Sequence, residues 1–186
     1  MEGFEIDSCL ESFEILVDKR EQPSERATRR YNSFGCPFTK ATLNYGDYCY
    51  NFRLPNNEKA IDINHTVFAP VVIERKMSLE ELSGCFCQSR ERFTNEFERA
   101  LKHGAKVYLL TENASWEKLI NGKYNTRYHQ RAYFASITTL MARYDVSVIF
   151  CREETTGKLI REILYRELKE RLLKGDYDAE MGEDMG

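Results

Sequence analysis

The sequence lacks the marks of a membrane or secreted protein. None of its apolar runs approaches the roughly 20 residues that a membrane helix needs. The N-terminal stretch MEGFEIDSCLESFEILVDKRE has no basic segment followed by an apolar one, so we expect no signal peptide. These absences predict a soluble, cytoplasmic protein with no membrane partner.

Metal-binding patterns built on histidine or cysteine are also missing. The three histidines, His65, His103 and His129, are scattered along the chain. Among the six cysteines, Cys85 and Cys87 form a lone C-x-C, and no second pair stands at the spacing of a zinc site. We therefore expect free cysteines in a reducing compartment and no zinc.

The chain also lacks an excess of positive charge, since its formal net charge is -3 at pH 7. Residues 175–186, GDYDAEMGEDMG, hold five acids and no Lys or Arg, so residues 1–174 carry +2. We predict one globular domain over residues 1–174 and an acidic, disordered tail over residues 175–186. The overall charge neither supports nor excludes binding to DNA.

Apolar periodicity and turn residues predict an α/β layer fold, with no internal repeat or low-complexity linker. We predict strands at 12–18, 38–43, 47–54, 70–76, 105–112 and 146–151, the second and third forming a hairpin or meander around Tyr45-Gly46. We predict helices at 24–35, 78–104, 115–122, 128–144 and 155–173. The helix at 78–104 opens with a capping box, Ser78-x-x-Glu81.

The strand at residues 70–76, PVVIERK, ends in three consecutive charges. Buried strands seldom end this way, because burying an unpaired charge is costly. Side chains alternate along a strand, so Glu74 and Lys76 share one face roughly 7 Å apart, and Arg75 lies on the other. A carboxylate and an ammonium at this spacing can hold a metal ion and a water. Taken alone, they fit a surface salt bridge better.

Two further acids stand at the ends of apolar strands. Asp18 closes the first strand in ILVDKRE, and Asp47 follows a glycine turn in LNYGDY. Together with Glu74, they give three acids that each close or open a buried strand. This pattern predicts that the three converge at one edge of the sheet and favours a metal site over an isolated salt bridge.

These stretches together resemble a known signature. V-D-K-R-E at 17–21, G-D-Y at 46–48 and E-R-K at 74–76 look like the motifs of the XPF-type nuclease domain, a branch of the PD-(D/E)XK, restriction-endonuclease-like superfamily. The similarity continues through YLLTE at 108–112 and VSVIF at 146–150. It implies a restriction-endonuclease-like fold, in which helices flank a mixed central sheet, and a metal-dependent endonuclease that acts on DNA.

The resemblance also implies a set of metal ligands. Asp47 and Glu74 would be the principal ligands of Mg²⁺, for which Mn²⁺ can substitute. The carbonyl of Arg75 would be an extra ligand, and Asp18 would bind the metal directly or through water. Lys76 would orient and polarise the attacking water.

Four other positions complete the implied site. Arg20 and Arg75 would stabilise it by pairing with acids or with phosphate. Glu80 stands four residues after Lys76, where the family usually has Asp, so its contact with metal is left open. Glu21 closes the V-D-K-R-E motif, and its role is left open as well.

Basic residues on predicted helices are candidates for DNA binding. Arg92 and Arg131 stand where the family has an Arg. Arg26, Arg29 and Arg30 form a dense cluster on the first predicted helix and are suited to holding backbone phosphate. Charged helix faces are also common as plain solvated surface, so both interpretations stay open.

We therefore predict a Mg²⁺-dependent endonuclease for branched, flapped or junction DNA, acting in recombination, repair or replication. The alternative is a catalytically inactive DNA-binding or scaffold member of the same fold. We expect a stand-alone nuclease domain like those of bacteria and their viruses, without the helix-hairpin-helix segment that often follows such domains. XPF-type domains generally dimerise through their later helices, which implies a homodimer through residues 128–144 and 155–173.

Overall fold

The computed structural model describes residues 1–178, and residues 179–186 lie outside the described part. Six strands form a mixed sheet flanked by helices, which confirms the predicted fold class. The chain divides into two compact units. Unit one comprises Met1–Leu43, Tyr48–Ala69 and the chain from Gly157 onward, and unit two comprises Asn44–Asp47 and Pro70–Thr156.

Unit one is organised around a central buried strand. Its strands are β1 (Glu14–Asp18), β2 (Phe38–Ala41) and β3 (Tyr48–Asn51), and its helices are α1 (Gly3–Glu11), α2 (Glu25–Asn32) and nearly all of α7 (Thr156–Lys174). All five residues of β1 are buried. Helix α7 adds an apolar stripe at four-residue spacing, Ile160, Leu164, Leu168 and Leu172.

The predicted hairpin of the second and third strands is wrong. Strand β1 lies between them and pairs with β2 in parallel and with β3 antiparallel. A parallel pair needs a crossover connection, and α2 provides it between β1 and β2. Helix α1 is a further difference, because the sequence patterns predict no element over its residues.

Unit two is a parallel α/β arrangement. Strands β4 (Val71–Lys76), β5 (Lys106–Glu112) and β6 (Ser147–Cys151) lie side by side, with Glu74 opposite Leu109 and Leu109 opposite Val148. Helices α3 (Leu79–Cys87) and α4 (Arg90–Lys102) connect the first two strands, and α5 (Trp116–Ile120) and α6 (Gln130–Tyr144) connect the last two. A short 3-10 turn, Glu153–Thr155, follows β6.

The helix predicted over residues 78–104 is two helices, because α3 ends at Cys87 and α4 begins at Arg90. The spacing of the apolar residues gives no sign of this break. Phe86 and Phe93 are seven residues apart and pack edge to face at 5.5 Å, so the spacing continues across the interruption. Leu101, predicted to end the stripe, is exposed, and Ala100 is buried instead.

The predicted cap of α3 is present in an altered form. The Ser78 hydroxyl accepts a hydrogen bond from Glu81 N at 3.3 Å. The Glu81 carboxylate accepts from Met77 N at 2.6 Å rather than from the backbone of Ser78. Glu81 therefore serves the cap as predicted, with its return bond shifted by one residue.

The acidic C-terminal segment begins inside the described part of the chain. Tyr177 is buried, and its hydroxyl lies 2.8 Å from the Tyr50 hydroxyl. The packed part of unit one therefore extends past the predicted boundary at residue 174. The rest of the predicted tail, residues 179–186, lies outside the described residues.

Two further expectations concern helices and cysteines. All six cysteines are free, as predicted. In residues 1–178, every helix is too short or too polar to cross a membrane.

Candidate active site

The turn before Asp47 depends on glycine at position 46. Gly46 has a φ of +71°, in the left-handed region. A Cβ at this position would lie 2.7 Å from the Val72 Cβ, so only glycine lets the loop approach β4 so closely. Asp47 N donates to Ile73 O at 2.8 Å, and Asp47 Oδ2 accepts from Arg75 N at 2.7 Å. The G-D pair thereby fixes the Asp47 carboxylate at the end of β4.

Glu74 and Lys76 form an ion pair between Lys76 Nζ and Glu74 Oε1. The two side chains are only 7% and 12% exposed, so this is not the surface salt bridge that the isolated E-x-K pattern favours. The ammonium also lies 5.4 Å from the ring centre of Phe93 on α4. A buried pair has a large desolvation cost, and this makes a functional role more plausible than a stabilising one.

The charges around this pair shift both pKa values. Burial raises the pKa of Glu74, Lys76 opposes that shift, and Glu96 and Glu81 add to it. Burial by itself lowers the pKa of Lys76, but the negative charges of Glu74 and Asp47 outweigh it and raise this pKa above its usual value. Lys76 is therefore protonated at neutral pH, so it can donate hydrogen bonds or offset negative charge but cannot accept a proton.

The residues at this end of β4 fit a divalent cation. Asp47 and Glu74 supply hard carboxylate oxygens, and Mg²⁺ commonly takes one or two carboxylates and completes its shell with water and phosphate. Within residues 1–178, no three His, Cys, Asp or Glu side chains are grouped to hold a metal ion.

The side chain of Arg75 lies apart from Glu74 and Lys76. Its Nη1 is 3.4 Å from Glu112 Oε2, and Glu112, on β5, is fully buried. Alternation along β4 predicted this opposite face. The Arg75 side chain thus pairs with an acid, Glu112, on the face opposite Glu74 and Lys76, and its backbone N–H holds Asp47. That this pairing stabilises the site stays a prediction. Metal binding by the Arg75 carbonyl stays a prediction.

Asp18 ends β1 in unit one with its carboxylate fully engaged. Oδ1 accepts from Arg20 N at 2.7 Å and Nε at 2.8 Å, and Oδ2 accepts from Arg20 Nη2 at 3.1 Å and Leu43 N at 2.9 Å. A carboxylate has about four lone-pair positions, so direct metal binding would displace one of these donors. The geometry favours an organising role for Asp18, and Arg20 is its main partner, as predicted for an arginine that pairs with an acid.

Arg30, predicted to bind DNA, is instead inside unit one. Its side chain is 4% exposed, it forms an ion pair with Glu21, and its Nε donates to the Tyr48 hydroxyl at 2.9 Å. Glu21 also accepts from the hydroxyls of Tyr31 at 2.9 Å and Tyr48 at 2.6 Å. This position of α2 faces the core, so the charge of Arg30 neutralises Glu21 and is not available to phosphate. Glu21, left open by the sequence, is a structural anchor.

The other two members of the predicted arginine cluster differ from each other. Arg26 is half-buried, and Arg29 has a side chain that is 63% exposed. Arg29 lies 3.8 Å from Glu25, one helical turn earlier. The dense cluster seen in the sequence therefore presents one largely exposed cation, because α2 turns its members in different directions.

Glu80 serves a loop of unit two. Its Oε1 accepts a hydrogen bond from Asn125 N at 2.8 Å, and this bond lowers the pKa of the Glu80 carboxyl. Glu81, not Glu80, is among the acids that act on Glu74. The geometry therefore gives no support to a metal contact for Glu80.

Arg92 and Arg131 are exposed, as DNA contacts require.

Sequence reasoning missed Glu96 on α4. Glu96 acts electrostatically on Glu74, and the two acids line one small cavity with Tyr45, Gly46, Val72, Phe97, Ala100 and Val107. A signal was available in the sequence. Phe93, Glu96 and Ala100 lie at three- and four-residue spacings, so an acid stands inside an apolar stripe.

Comparisons with known proteins agree with this fold. The chain matches the ERCC4 domain over residues 17–163, a segment that contains Asp18, Asp47, Glu74 and Lys76. None of the curated proteins compared matches it. Two solved structures of XPF from Aeropyrum pernix are similar. The first has a TM-score of 0.56 and 18% identity, over 83% of this chain and 61% of that one.

The second, a complex with DNA, has a TM-score of 0.57 and 18% identity, over 84% of this chain and 65% of that one. The chain thus spans less than two thirds of the length of these solved proteins. At this identity the structures show a shared fold, and the family match covers most of the chain. The chain therefore belongs to the ERCC4 domain family, as its resemblance to XPF-type nuclease domains predicted.

Proposed function

We propose that this protein is a metal-dependent DNA endonuclease that hydrolyses phosphodiester bonds. The observation that carries the proposal is the buried Glu74–Lys76 pair on one face of β4, with Asp47 fixed beside it. Membership of the ERCC4 domain family supports the nuclease activity, and the similar XPF in complex with DNA supports DNA as the substrate.

The residues would divide the work as follows. Asp47 and Glu74 would hold a Mg²⁺ or Mn²⁺ ion. When bound, such an ion neutralises charge on the phosphate and makes a bound water more acidic. Lys76 is protonated and hydrogen-bonded to Glu74, so it can orient the attacking water or offset the charge that develops on the phosphate. The pairing of β4 with β5 keeps Glu74 and Lys76 in a fixed register.

We further propose that the substrate is a branched, flapped or junction DNA, processed during recombination, repair or replication. The competing possibility is a catalytically inactive DNA-binding or scaffold protein of the same fold. Cleavage of a panel of flap, fork, Holliday-junction, duplex and single-stranded DNAs, with Mg²⁺ and with Mn²⁺, distinguishes the two. The inactive protein would bind the same DNAs and cut none of them.

Single substitutions test the assignment of the site. Asp47→Asn, Glu74→Gln and Lys76→Ala should each lower cleavage about 100-fold or more, since each removes a group from the charge-stabilising machinery. Glu91→Gln removes an exposed acid from the first turn of α4 and is the control, with cleavage close to wild type. Circular dichroism confirms folding. Wild-type cleavage by all three site variants would refute the assignment.

The predicted homodimer remains a proposal. Much of the apolar surface of α7 is used inside unit one, whereas α6 leaves Phe134 and Met141 partly exposed. We therefore assign the contact between copies to α6 more than to α7. Light scattering should give the mass of two chains for the wild type and of one chain for Phe134→Glu/Met141→Glu, and a single-chain mass for the wild type would exclude the homodimer.

A further inference from the structure

A stretch of unit two carries only positive charge. Between Glu117 and Asp145 the sequence contains no acid and five basic residues, Lys118, Lys123, Arg127, Arg131 and Arg143. Lys118 is already used, because its Nζ donates to Asn113 O at 2.9 Å. Lys123, Arg127 and Arg131 are exposed, and in residues 1–178 no acid forms an ion pair with any of them. We call these three residues the basic loop surface.

The segment that carries this surface, residues 121–129, is a loop with a fixed backbone. Lys123 N donates to Lys118 O at 2.8 Å, and the Tyr124 hydroxyl donates to Tyr128 O at 2.9 Å. The Tyr128 hydroxyl lies 2.6 Å from the Ser136 hydroxyl on α6. One bond to each flanking helix and one within the loop therefore define the path of the loop, so little backbone entropy would be lost when a ligand binds to it.

Exposure alternates along this loop. Tyr124 and Tyr128 are partly buried and pack on Tyr133, with ring centres 5.3 and 5.1 Å from it. Lys123 and Arg127, one residue before each tyrosine, are exposed. The aromatic residues thus hold the loop against α6 and leave the cations in solvent. Arg131 follows directly, in the first turn of α6, where the helix end adds partial positive charge.

Glu80 joins this loop to the helix that follows the candidate active site. Its carboxylate accepts from Asn125 N, between Lys123 and Arg127, and α3 begins three residues after Lys76. The acid that the sequence offered as a possible metal ligand is therefore placed to position the loop. The Glu80 carboxylate accepts a hydrogen bond from the backbone N–H of Asn125 and does not pair with Lys123 or Arg127 on either side.

We propose that the basic loop surface, Lys123, Arg127 and Arg131, binds the phosphate backbone of the DNA substrate, with Glu80 as its positioning residue. This inference rests on the proposed function. Two exposed cations on the loop and a third in the first turn of α6, with no acid in the surrounding sequence, complement a regularly charged polyanion. Contacts of this kind carry no base information, so they would fix the position of the DNA and not its sequence.

The test is DNA binding by the full chain in EDTA, measured by fluorescence anisotropy on a labelled forked duplex at several salt concentrations. For Lys123→Gln/Arg127→Gln/Arg131→Gln, the slope of log K against log salt should become shallower by about 2 to 3, with affinity about 100-fold weaker near 0.1 M salt. Arg143→Gln, at the far end of α6, is the matched control and should leave the slope unchanged.

Substitution of Glu80 is a second experiment, which distinguishes a positioning role of this residue from a metal-binding one. Glu80→Ala should weaken DNA binding about tenfold in EDTA, and Glu80→Gln should restore it, because the amide oxygen can still accept from Asn125 N. A metal ligand would show neither effect without metal. Wild-type slope and affinity in the triple variant would overturn the inference while leaving the nuclease proposal intact. A wild-type protein that neither binds nor cuts any DNA would overturn both.

Discussion

Substitution of Gly46 by Ala tests how the fold delivers Asp47. Two costs can be separated in the structure. A non-glycine residue at a φ of +71° costs about 1–2 kcal/mol. The new Cβ would also stand 2.7 Å from Val72 Cβ and 3.0 Å from Val72 Cγ2, and overpacking of this kind costs about 1–3 kcal/mol. The sum, about 2–5 kcal/mol, is a large part of the stability of an ordinary domain.

Gly104 supplies the matched control for this experiment. It has a φ of +67°, and a Cβ added there would meet no heavy atom within 4 Å, so Gly104→Ala carries the backbone cost alone. Urea denaturation of both variants should give a larger loss of unfolding free energy for Gly46→Ala, and the difference measures the contact with Val72. Cleavage should fall only in Gly46→Ala, because only there does Asp47 move. Equal destabilisation by the two substitutions would refute the close approach as the reason for this glycine.

Two further predictions concern unit one. Glu21→Gln should destabilise the protein by about 3 kcal/mol in urea denaturation, because Arg30 keeps a buried charge with no carboxylate beside it. The control, Glu25→Gln, removes the exposed partner of Arg29 and should change stability by less than about 1 kcal/mol. Similar losses in the two variants would contradict the burial argument. Burial and the neighbouring Tyr177 raise the pKa of Tyr50, so the folded protein keeps this hydroxyl neutral at a pH where the unfolded chain ionises it. The contribution of Tyr50 to the stability of the protein is therefore complete below the ordinary value of 10.0 and is lost as the pH rises above it. Tyr50→Phe should therefore be less stable than wild type at pH 8 and should lose less stability on going to about pH 11; equal losses in the two proteins would show that Tyr50 does not titrate as described.

Local signals in the sequence predicted much of unit two. Strands β4, β5 and β6 are short apolar runs bounded by turn residues, and Ser78 and Ser115 mark helix starts through hydroxyls that accept from Glu81 N and Lys118 N. The opposite faces of Glu74 and Arg75 follow from strand alternation alone. These features depend on neighbours in the sequence, and a pattern in one chain is enough to find them.

The errors arise where contacts between distant residues decide the structure. Insertion of β1 between β2 and β3 depends on pairing preferences that no local pattern contains. The same holds for Arg30, whose charge looked available until its position beside Glu21 and Tyr48 was known. The role of Glu80 was left open because its partner, Asn125, is far along the chain and no local pattern shows that contact.

The segment Asn44–Asp47 belongs to unit two, although the residues on both sides of it in the sequence belong to unit one. The stretch Pro70–Thr156 contains Glu74 and Lys76 but not Asp47. During folding, Asp47 and Glu74 therefore come together only when the chain between them closes a loop, and loop closure has an entropic cost. Unit two cannot bring Asp47 to Glu74 and Lys76 from one continuous segment. Under the proposed function, DNA cleavage would therefore report completed folding, and a partly folded chain would leave DNA uncut.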